Sequence, residues 1–252
     1  MADLGTYDGV GAAEIATRLS LPVVHALMET TSTLDVAHRL GELGAPAGTL
    51  VLAERQTAGR GRGGRRWSSE AGRGIWMTLL ERPHDAAAID VLSLRVGIRA
   101  ACVLERHARG EVRLKWPNDL YVGGDKLAGV LIEARWRDGR PDWVAIGFGL
   151  NVRLPLDVQG AACLRPHTAR LDVLAALVPA LREAAAEHGP LGEPELDAFA
   201  ARDLGRGREC VSPGHGRVRG ITRAGELLVS TDSGEQAFRG GSLIFAGTEV
   251  GA

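Results

Sequence analysis

Lysine is nearly absent from this sequence of 252 residues, whose 30 basic side chains include only two lysines, Lys115 and Lys126. The remaining 28 are arginines, and with 34 glycines the composition is biased toward arginine and glycine throughout. Both lysines lie in one stretch, residues 115–126. Chance is one explanation, and a chemical requirement for the smaller, mobile cation at a single site is the other.

The sequence also lacks an excess of either charge, with 30 basic against 31 acidic residues and a net charge of −1 at pH 7. The net charge of such a protein creates no positive electrostatic field that would attract DNA or an anionic membrane, so any basic binding site must be local. No apolar run approaches the length of a membrane span, and the first ten residues do not form a charged-then-apolar leader. We therefore expect a cytoplasmic protein with no membrane partner.

Cysteine is scarce as well. Cys102, Cys163 and Cys210 are an odd number and form no C-x-x-C pair, which argues against a disulfide framework and against a zinc site. The sequence contains neither G-x-x-x-x-G-K-[ST] nor G-x-S-x-G. These absences exclude a P-loop nucleotide site and the nucleophile elbow of α/β-hydrolases.

Hydrophobic periodicity predicts an α+β fold, with a mixed and mostly antiparallel sheet covered by helices on one face. The predicted strands are residues 21–28, 50–53, 74–81, 112–115, 120–122, 127–134 and 143–152, and the predicted helices are residues 12–19, 33–43, 89–107, 171–188 and 195–204. Beyond these, short strands at 217–221, 227–231, 236–239 and 243–245 alternate with turn residues, as in a small β-barrel. The sequence thus predicts a domain of residues 1–204 and a small domain of residues 205–252.

An arginine- and glycine-rich segment, QTAGRGRGGRRW at residues 56–67, follows a predicted strand. It contains G-x-G-x-x-G, but a dinucleotide site needs a helix to begin at the glycines, and the residues that follow predict turns and a strand. Arg/Gly segments that bind nucleic acid are usually longer repeats in a polar tail. We favour a flexible loop that closes over an anionic small ligand, and a plain solvated loop is the simpler alternative.

The segment RLKWPNDLYVGGDKLAG carries the two lysines. Its proline ends a strand, and a turn at residues 123–125 predicts a hairpin. This hairpin would bring together four side chains at the entrance of one site: Lys115, Asn118, Asp119 and Lys126. Two cations beside one carboxylate suit a polyphosphate with a magnesium ion, for which Asp119 is the candidate ligand. The alternative is an ordinary hairpin with surface ion pairs.

Small and large residues alternate in AIGFGLNV, residues 145–152. Gly147 and Gly149 would leave one face of this strand free for the close approach of a ligand or of a neighbouring segment. Close packing in the protein core is an equal alternative.

Together these segments resemble the biotin–protein ligase family. The matching pieces are Ser32-Thr33 after a strand, Gln56 with AGRGRGGRRW, KWPNDLYVGGDKLAG, LIE at residues 131–133, and IGFGLNV, in family order over residues 22–152. The resemblance implies a class II synthetase-like catalytic domain at 1–204 and an SH3-like β-barrel at 205–252. It also implies an ATP-dependent reaction that activates biotin to biotinyl-5'-AMP and transfers it to a lysine of a carrier domain.

The resemblance implies roles for individual residues. Biotin contacts fall on Ser32, Thr33, Gln56, Arg60, Gly61, Arg62, Lys126, Gly129, Gly147 and Gly149, nucleotide contacts on Trp67, Lys115, Asn118 and Asn151, and catalytic roles on Lys126, Arg62, Lys115 and Asp119, the last also as a magnesium ligand. One residue departs from the pattern, because many members have asparagine where this chain has Leu34. A polar contact from that side chain to biotin is therefore not expected here.

The implied substrates are ATP with Mg²⁺ and biotin, and the implied partner is a biotin carboxyl carrier protein or domain. The oligomeric state stays open between a monomer and a homodimer. About 20 residues precede the first predicted strand of the sheet, too few for the helix-turn-helix of some members, so we expect a monofunctional ligase without DNA binding. Two alternatives remain: a lipoate or octanoyl ligase of the same fold, and an RNA-binding module that uses the Arg/Gly loop.

Overall fold

We describe the protein from a computed structural model, which covers residues 5–83 and 85–247. Its helices are α1 (Ala12–Leu19), α2 (Thr33–Glu42), α3 (Ala86–Leu104), α4 (Arg170–Ala186) and α5 (Glu193–Arg202). Carboxylates cap the N-termini of two helices. Asp85 accepts a hydrogen bond from the N–H of Ala87 in α3, and Glu195 accepts one from the N–H of Gly192 before α5. In the covered ranges, no helix combines the length and the apolar character that a membrane crossing requires.

A seven-stranded sheet lies at the centre of the larger part. The strands of this part are β1 (Thr6–Tyr7), β2 (Val10–Gly11), β3 (Val23–Thr30), β4 (Thr49–Gln56), β5 (Gly74–Glu81), β6 (Arg113–Lys115), β7 (Asp119–Val122), β8 (Asp125–Arg137) and β9 (Arg140–Asn151). The sheet order is β3-β4-β5-β9-β8-β7-β6, with β3 and β4 parallel and the other neighbours antiparallel. This confirms the predicted α+β class with a mixed, mostly antiparallel sheet. The ribbon β1-β2 was not predicted, because two-residue strands carry no periodicity.

Successive side chains along each strand point to opposite faces of the sheet, so the sheet has two distinct faces. Leu50 and Ile146 point into the main core, which contains buried residues of α1, α3 and α4. Val51 and Ala145 point the other way and form a separate cluster with Leu34 of α2. The prediction that the helices cover one face is therefore wrong for α2. The apolar stripe of a helix shows that it packs on something, but it does not show which face of a sheet it covers.

A second, five-stranded sheet follows α5. Its strands are β10 (Glu209–Ser212), β11 (Gly216–Ile221), β12 (Leu227–Thr231), β13 (Gly234–Phe238) and β14 (Ile244–Phe245), all antiparallel in the order β13-β12-β11-β10-β14. The short strand β10 was not predicted. The contact between the small sheet and the larger part of the protein includes a hydrogen bond of 2.9 Å from the Trp116 indole N–H to the Gly225 carbonyl. The small sheet is thereby seated beside the segment that follows β6.

The long hairpin β8-β9 extends beyond the predicted strands at its turn. Asp138 and Gly139 adopt φ of 51° and 74°, the left-handed conformation that a two-residue hairpin turn requires. Strands β5 and β12 and helix α1 have the predicted bounds. The hairpin carries the residues that form the floor of the site described next.

Candidate active site

A pocket opens beside α2 where glycines replace the side chains of the sheet. Gly147 and Gly149 of β9 face this pocket, and Gly129 of β8 pairs with Gly149. A Cβ atom at Gly149 would lie 2.6 Å from the indole of Trp67, and one at Gly147 would lie 3.2 Å from Leu34. The space above these glycines is therefore taken by side chains of this chain, and Trp67 and Leu34 form part of the pocket wall.

Lys126 and Asp119 form the charged centre of the pocket. Lys126 Nζ lies 2.7 Å from Asp119 Oδ1 and 5.0 Å from the centre of the Trp67 ring. The turn between β7 and β8 contains Gly123 and Gly124, both at positive φ, a conformation that glycine adopts without steric cost. This turn returns the chain antiparallel and brings the lysine to the carboxylate, as the sequence predicts.

A second region of the pocket is polar but uncharged. Gln56 Oε1 accepts hydrogen bonds from the Thr33 N–H at 2.9 Å and the Thr33 hydroxyl at 3.2 Å, and Gln56 Nε2 donates to Ser69 Oγ at 2.8 Å. The Thr78 hydroxyl of β5 donates to that of Thr33 at 2.8 Å. The Ser32 hydroxyl is buried and has no hydrogen-bond partner in the described part of the chain. Buried polar atoms are nearly always paired, so this hydroxyl is available to a ligand.

The arginine-rich segment of residues 57–67 forms a loop over the pocket. Its two arms are joined by hydrogen bonds from the Gly61 N–H to the Arg65 carbonyl at 2.7 Å and from the Trp67 N–H to the Gly59 carbonyl at 2.9 Å. Its tip is one turn of 3-10 helix at Arg62–Gly64. The structure confirms that this segment is a loop, to which the internal hydrogen bonds give a defined shape, and its closure over a ligand stays a prediction.

Positive charge predominates around the pocket. Burial lowers the pKa of Arg62, an effect that Asp119 partly offsets and Arg65 increases. Burial also lowers the pKa of Lys115, where Asp119 again raises it and Lys126 lowers it. Burial and like charges both disfavour the charged forms of these cations, and a bound anion would favour them. The pocket therefore suits an anionic ligand.

The structure brings the predicted biotin residues together around one pocket. Its lining includes Ser32, Thr33, Gln56, Arg60, Gly61, Arg62, Lys126, Gly129, Gly147 and Gly149, and also Trp67, Asn118 and Asp119 from the other predicted sets. These residues come from four separate segments of the chain. Their roles toward a ligand remain predictions.

Two predicted residues lie outside this pocket. Lys115 lines an adjoining cavity that shares Asn118 and Asp119 with this pocket and is also lined by residues 242–245, which include β14 of the small sheet. Lys115 Nζ lies 5.4 Å from the ring centres of both Tyr121 and Phe245. Asn151 is buried, and its Nδ2 donates to the carbonyl oxygens of Lys126 at 3.3 Å and Ala162 at 3.2 Å. In this structure Asn151 supports the backbone of Lys126.

Sequence reasoning missed part of the lining. The additional residues are Leu34, Arg65, Arg66, Met77, Val130, Leu131 and Phe148. Arg65 and Arg66 belong to the loop already singled out, so their charge was a usable signal. The apolar members had none, because an apolar residue in a strand is expected equally in the core and in the wall of a ligand pocket.

These segments fall within a region that matches a known protein family. A model of the biotin/lipoate A/B protein ligase family matches residues 24–151, slightly more than half of the chain. The chain belongs to this family. The resemblance seen in the sequence is thereby confirmed, and the glycine floor, the hairpin lysine and the loop all lie in the family's own segment.

Individual members of the family are similar over different lengths. The bifunctional ligase/repressor BirA of Bacillus spizizenii is 41% identical over 128 residues, which are 50% of this chain and 39% of that protein. The chain therefore spans about two fifths of the length of this relative. The biotin–[acetyl-CoA-carboxylase] ligase of Paracoccus denitrificans is 29% identical over 249 residues, covering 88% of this chain and 100% of the relative.

A solved structure shows the same arrangement of elements. The biotin protein ligase from Aquifex aeolicus in complex with biotin and ATP superposes with a TM-score of 0.71 at 27% identity. The match covers 87% of this chain and 97% of that one. It extends well beyond the matched family segment, since residues 24–151 are only about half of this chain.

The contact between Gly149 and Trp67 leads to a graded prediction. We expect Gly149→Ala to displace the indole, because its Cβ would lie 2.6 Å from the ring, and Gly129→Ala to do so less, because its Cβ would lie 3.1 Å away. Tryptophan fluorescence and near-UV circular dichroism of the two variants measure this. In a Trp67→Phe background the difference between the two should disappear, and equal spectra in the native background would contradict the assigned contact.

Proposed function

We propose that the chain is a biotin–protein ligase, which activates biotin to biotinyl-5'-AMP with ATP and transfers it to a lysine of a biotin carboxyl carrier domain. The observation that carries this proposal is a single pocket that combines the Ser32 hydroxyl, which has no partner among the described residues, and the Gln56 amide with the cations Arg62 and Lys126. Biotin offers the matching chemistry, a neutral ureido group at one end and a carboxylate at the other. The names of the relatives agree with this substrate.

The first step joins two anions. A carboxylate oxygen of biotin attacks the α-phosphorus of ATP, an acyl–phosphate bond forms, and pyrophosphate leaves. No protein nucleophile is needed, so the contribution of the chain is to position the reactants and to stabilise the developing negative charge. Lys126 and Arg62 serve this purpose beside the biotin carboxylate and the α-phosphate, with Lys115 toward the remaining phosphates.

The second step passes the acyl group to the carrier. The amine of the carrier lysine attacks the acyl carbon, loses a proton and displaces AMP. Asp119 lies next to Lys126 and is the carboxylate in the pocket lining available to orient that amine. Between the steps the mixed anhydride must be kept from water, which gives the loop of residues 57–67 its role as a cover.

The nucleotide contacts are proposed for Trp67 and Asn118, which line the pocket, and Lys115 in the adjoining cavity. We propose Asn151 only as the support for Lys126 described above. The Leu34 side chain packs against the pocket and cannot donate or accept a hydrogen bond. Ser32, Thr33 and Gln56 then supply the polar contacts to the ureido ring.

Magnesium fits this site only as an ion carried by the nucleotide. In the described residues, no group of three or more His, Cys, Asp or Glu side chains is arranged to hold a metal. Asp119 offers one carboxylate, and Mg²⁺ is often bound by one or two carboxylates together with substrate phosphates and water. Its chemistry there would be to neutralise phosphate charge.

The organisation of the chain is proposed on the same basis. The segment up to residue 204 would be the catalytic domain, and the five antiparallel strands from β10 to β14 support an SH3-like barrel at residues 205–252. Because the reaction consumes ATP and acts on a metabolic carrier protein, we place it in the cytoplasm.

The decisive experiment supplies Mg-ATP, biotin and a biotin carboxyl carrier domain to the protein and detects biotin on the carrier by avidin blot. We expect transfer that depends on both ATP and biotin. A parallel reaction with lipoate and a lipoyl carrier domain tests the related activity, since the family includes lipoate ligases. Transfer of lipoate alone, or salt-sensitive retention on RNA without any transfer, would overturn the proposal.

A further inference from the structure

One guanidinium attaches the loop of residues 57–67 to two other elements. Arg60 Nη2 lies 3.0 Å from Asp35 Oδ1 in α2 and 3.3 Å from Glu133 Oε2 in β8. In the described part of the chain, no other arginine of this loop lies within 4.0 Å of a carboxylate. Arg65 donates instead to the Ser242 hydroxyl. Arg60 is therefore the ionic link between the loop and the walls of the pocket.

Glu133 is itself held in one orientation. His38 Nε2 lies 2.8 Å from Glu133 Oε2, the oxygen that Arg60 contacts, and the Trp143 indole N–H donates to His38 Nδ1 at 3.1 Å. An indole N–H can only donate, so Nδ1 accepts and the imidazole proton resides on Nε2, facing the carboxylate. His38 and Trp143 are both buried. A fixed hydrogen-bond chain thus presents Glu133 to the loop.

We propose that Glu133, oriented by His38, is a positioning residue that holds Arg60 and thereby keeps Arg62 and Trp67 in place over the pocket. Neither Glu133 nor His38 lines the ligand pocket itself. Their effect passes through the loop. The predicted effect on catalysis rests on the proposed ligase function, whereas the attachment of the loop does not.

A local role is distinguishable from a general contribution to stability. The side chains of Arg60 and Glu133 are 40% and 24% exposed, and ion pairs that are partly exposed contribute little to the free energy of unfolding. Loss of the attachment should therefore increase opening of the loop with a small change in the melting temperature. Opening is measurable because the loop carries four trypsin sites.

The experiment compares Glu133→Ala and Glu133→Gln with the wild type in limited trypsin digestion, with mass spectrometry of cuts after Arg62, Arg65 and Arg66. We expect about fivefold faster cleavage there in Glu133→Ala, from the loss of one partly exposed ion pair. The cleavage rate of Glu133→Gln should lie between those of the wild type and Glu133→Ala. Its amide oxygen still accepts the hydrogen bond from His38, so the buried imidazole keeps a partner in this variant. Glu209→Ala, which removes an exposed pair with Arg217 in the small sheet, is the matched control.

A double-mutant cycle with Arg60→Ala assigns the effect to the pair. The Arg60→Ala/Glu133→Ala protein should be cut no faster than Arg60→Ala alone. In the ligase assay, Glu133→Ala should raise the KM for biotin about fivefold with a smaller change in kcat, and Glu133→Gln should again lie between Glu133→Ala and the wild type. Cleavage in Glu133→Ala at the rate of the wild type, or fully additive acceleration in the double variant, would overturn the proposal even in a protein without ligase activity.

Discussion

Under the proposed ligase function, Lys126→Arg should lose most of the adenylate-forming activity although it keeps the positive charge, with a fall in kcat/KM of about a hundredfold. The ammonium fits between the Trp67 ring and Asp119, 5.0 Å from one and 2.7 Å from the other. A planar guanidinium is larger and would move the charge away from the reacting phosphate. Biotin-dependent exchange of pyrophosphate into ATP measures this step.

A second substitution separates charge from geometry at this position. Lys126→Met removes the charge and should be at least as inactive as Lys126→Arg. Arg137→Ala is a suitable control, because its side chain is 70% exposed at the far end of β8 and pairs only with Asp142 in the described residues. Near-normal exchange in Lys126→Arg would refute the role assigned to this lysine.

Of the substitutions considered, Arg170→Ala should cause the largest loss of stability, a decrease of about 3–5 kcal/mol in the free energy of unfolding. The Arg170 side chain is only 8% exposed, and its guanidinium lies 2.8 Å from both oxygens of Glu54 and binds Asp8 as well. Its removal leaves the Glu54 carboxylate, which is 10% exposed, without its partner. Burying an unpaired charge is costly, so we expect the melting temperature to fall by about 10 °C.

Chemical denaturation compares this variant with Arg18→Ala, which removes an exposed pair within α1. The Arg18 variant should change the free energy of unfolding by less than about 0.5 kcal/mol. If both variants lose the same small amount, the cluster around Arg170 does not have the stabilising role assigned to it. Arg170→Met keeps much of the side-chain volume and distinguishes loss of charge from loss of packing.

The hairpin, the loop and the glycine strand were predictable because each depends on neighbours in the sequence. The turn at Gly123 and Gly124 requires a positive φ at both positions, which glycine adopts readily, and its position places Lys126 opposite the strand that carries Asp119. The alternation in β9 likewise shows that Gly147 and Gly149 share one face. These local rules place the two lysines with Asn118 and Asp119, and Gly147 with Gly149. The sites at Ser32, Thr33, Gln56, Gly129, Trp67 and Asn151 were predicted only from the resemblance to the family.

Contacts between distant segments were not predictable in the same way. Strand order decides that β9 lies between β5 and β8, so that Trp67 covers Gly149 and Glu133 meets His38. The sequence contains no signal for such an order, because strands with the same alternation can pair in several arrangements. The face that α2 covers was also not predictable, because the apolar stripe of a helix does not show which face of a sheet it packs on.

The two lysines show which features the sequence determines and which depend on the tertiary structure. Composition and the hairpin motif by themselves determined that Lys115 and Lys126 lie near one carboxylate in a chain otherwise supplied with arginine. Only the tertiary structure decided that Lys126 enters the pocket, and that Lys115 lies in an adjoining cavity between Tyr121 and Phe245. The reason is physical: a side chain's direction follows from its own strand, whereas the cavity that it enters is built by elements far away in the sequence.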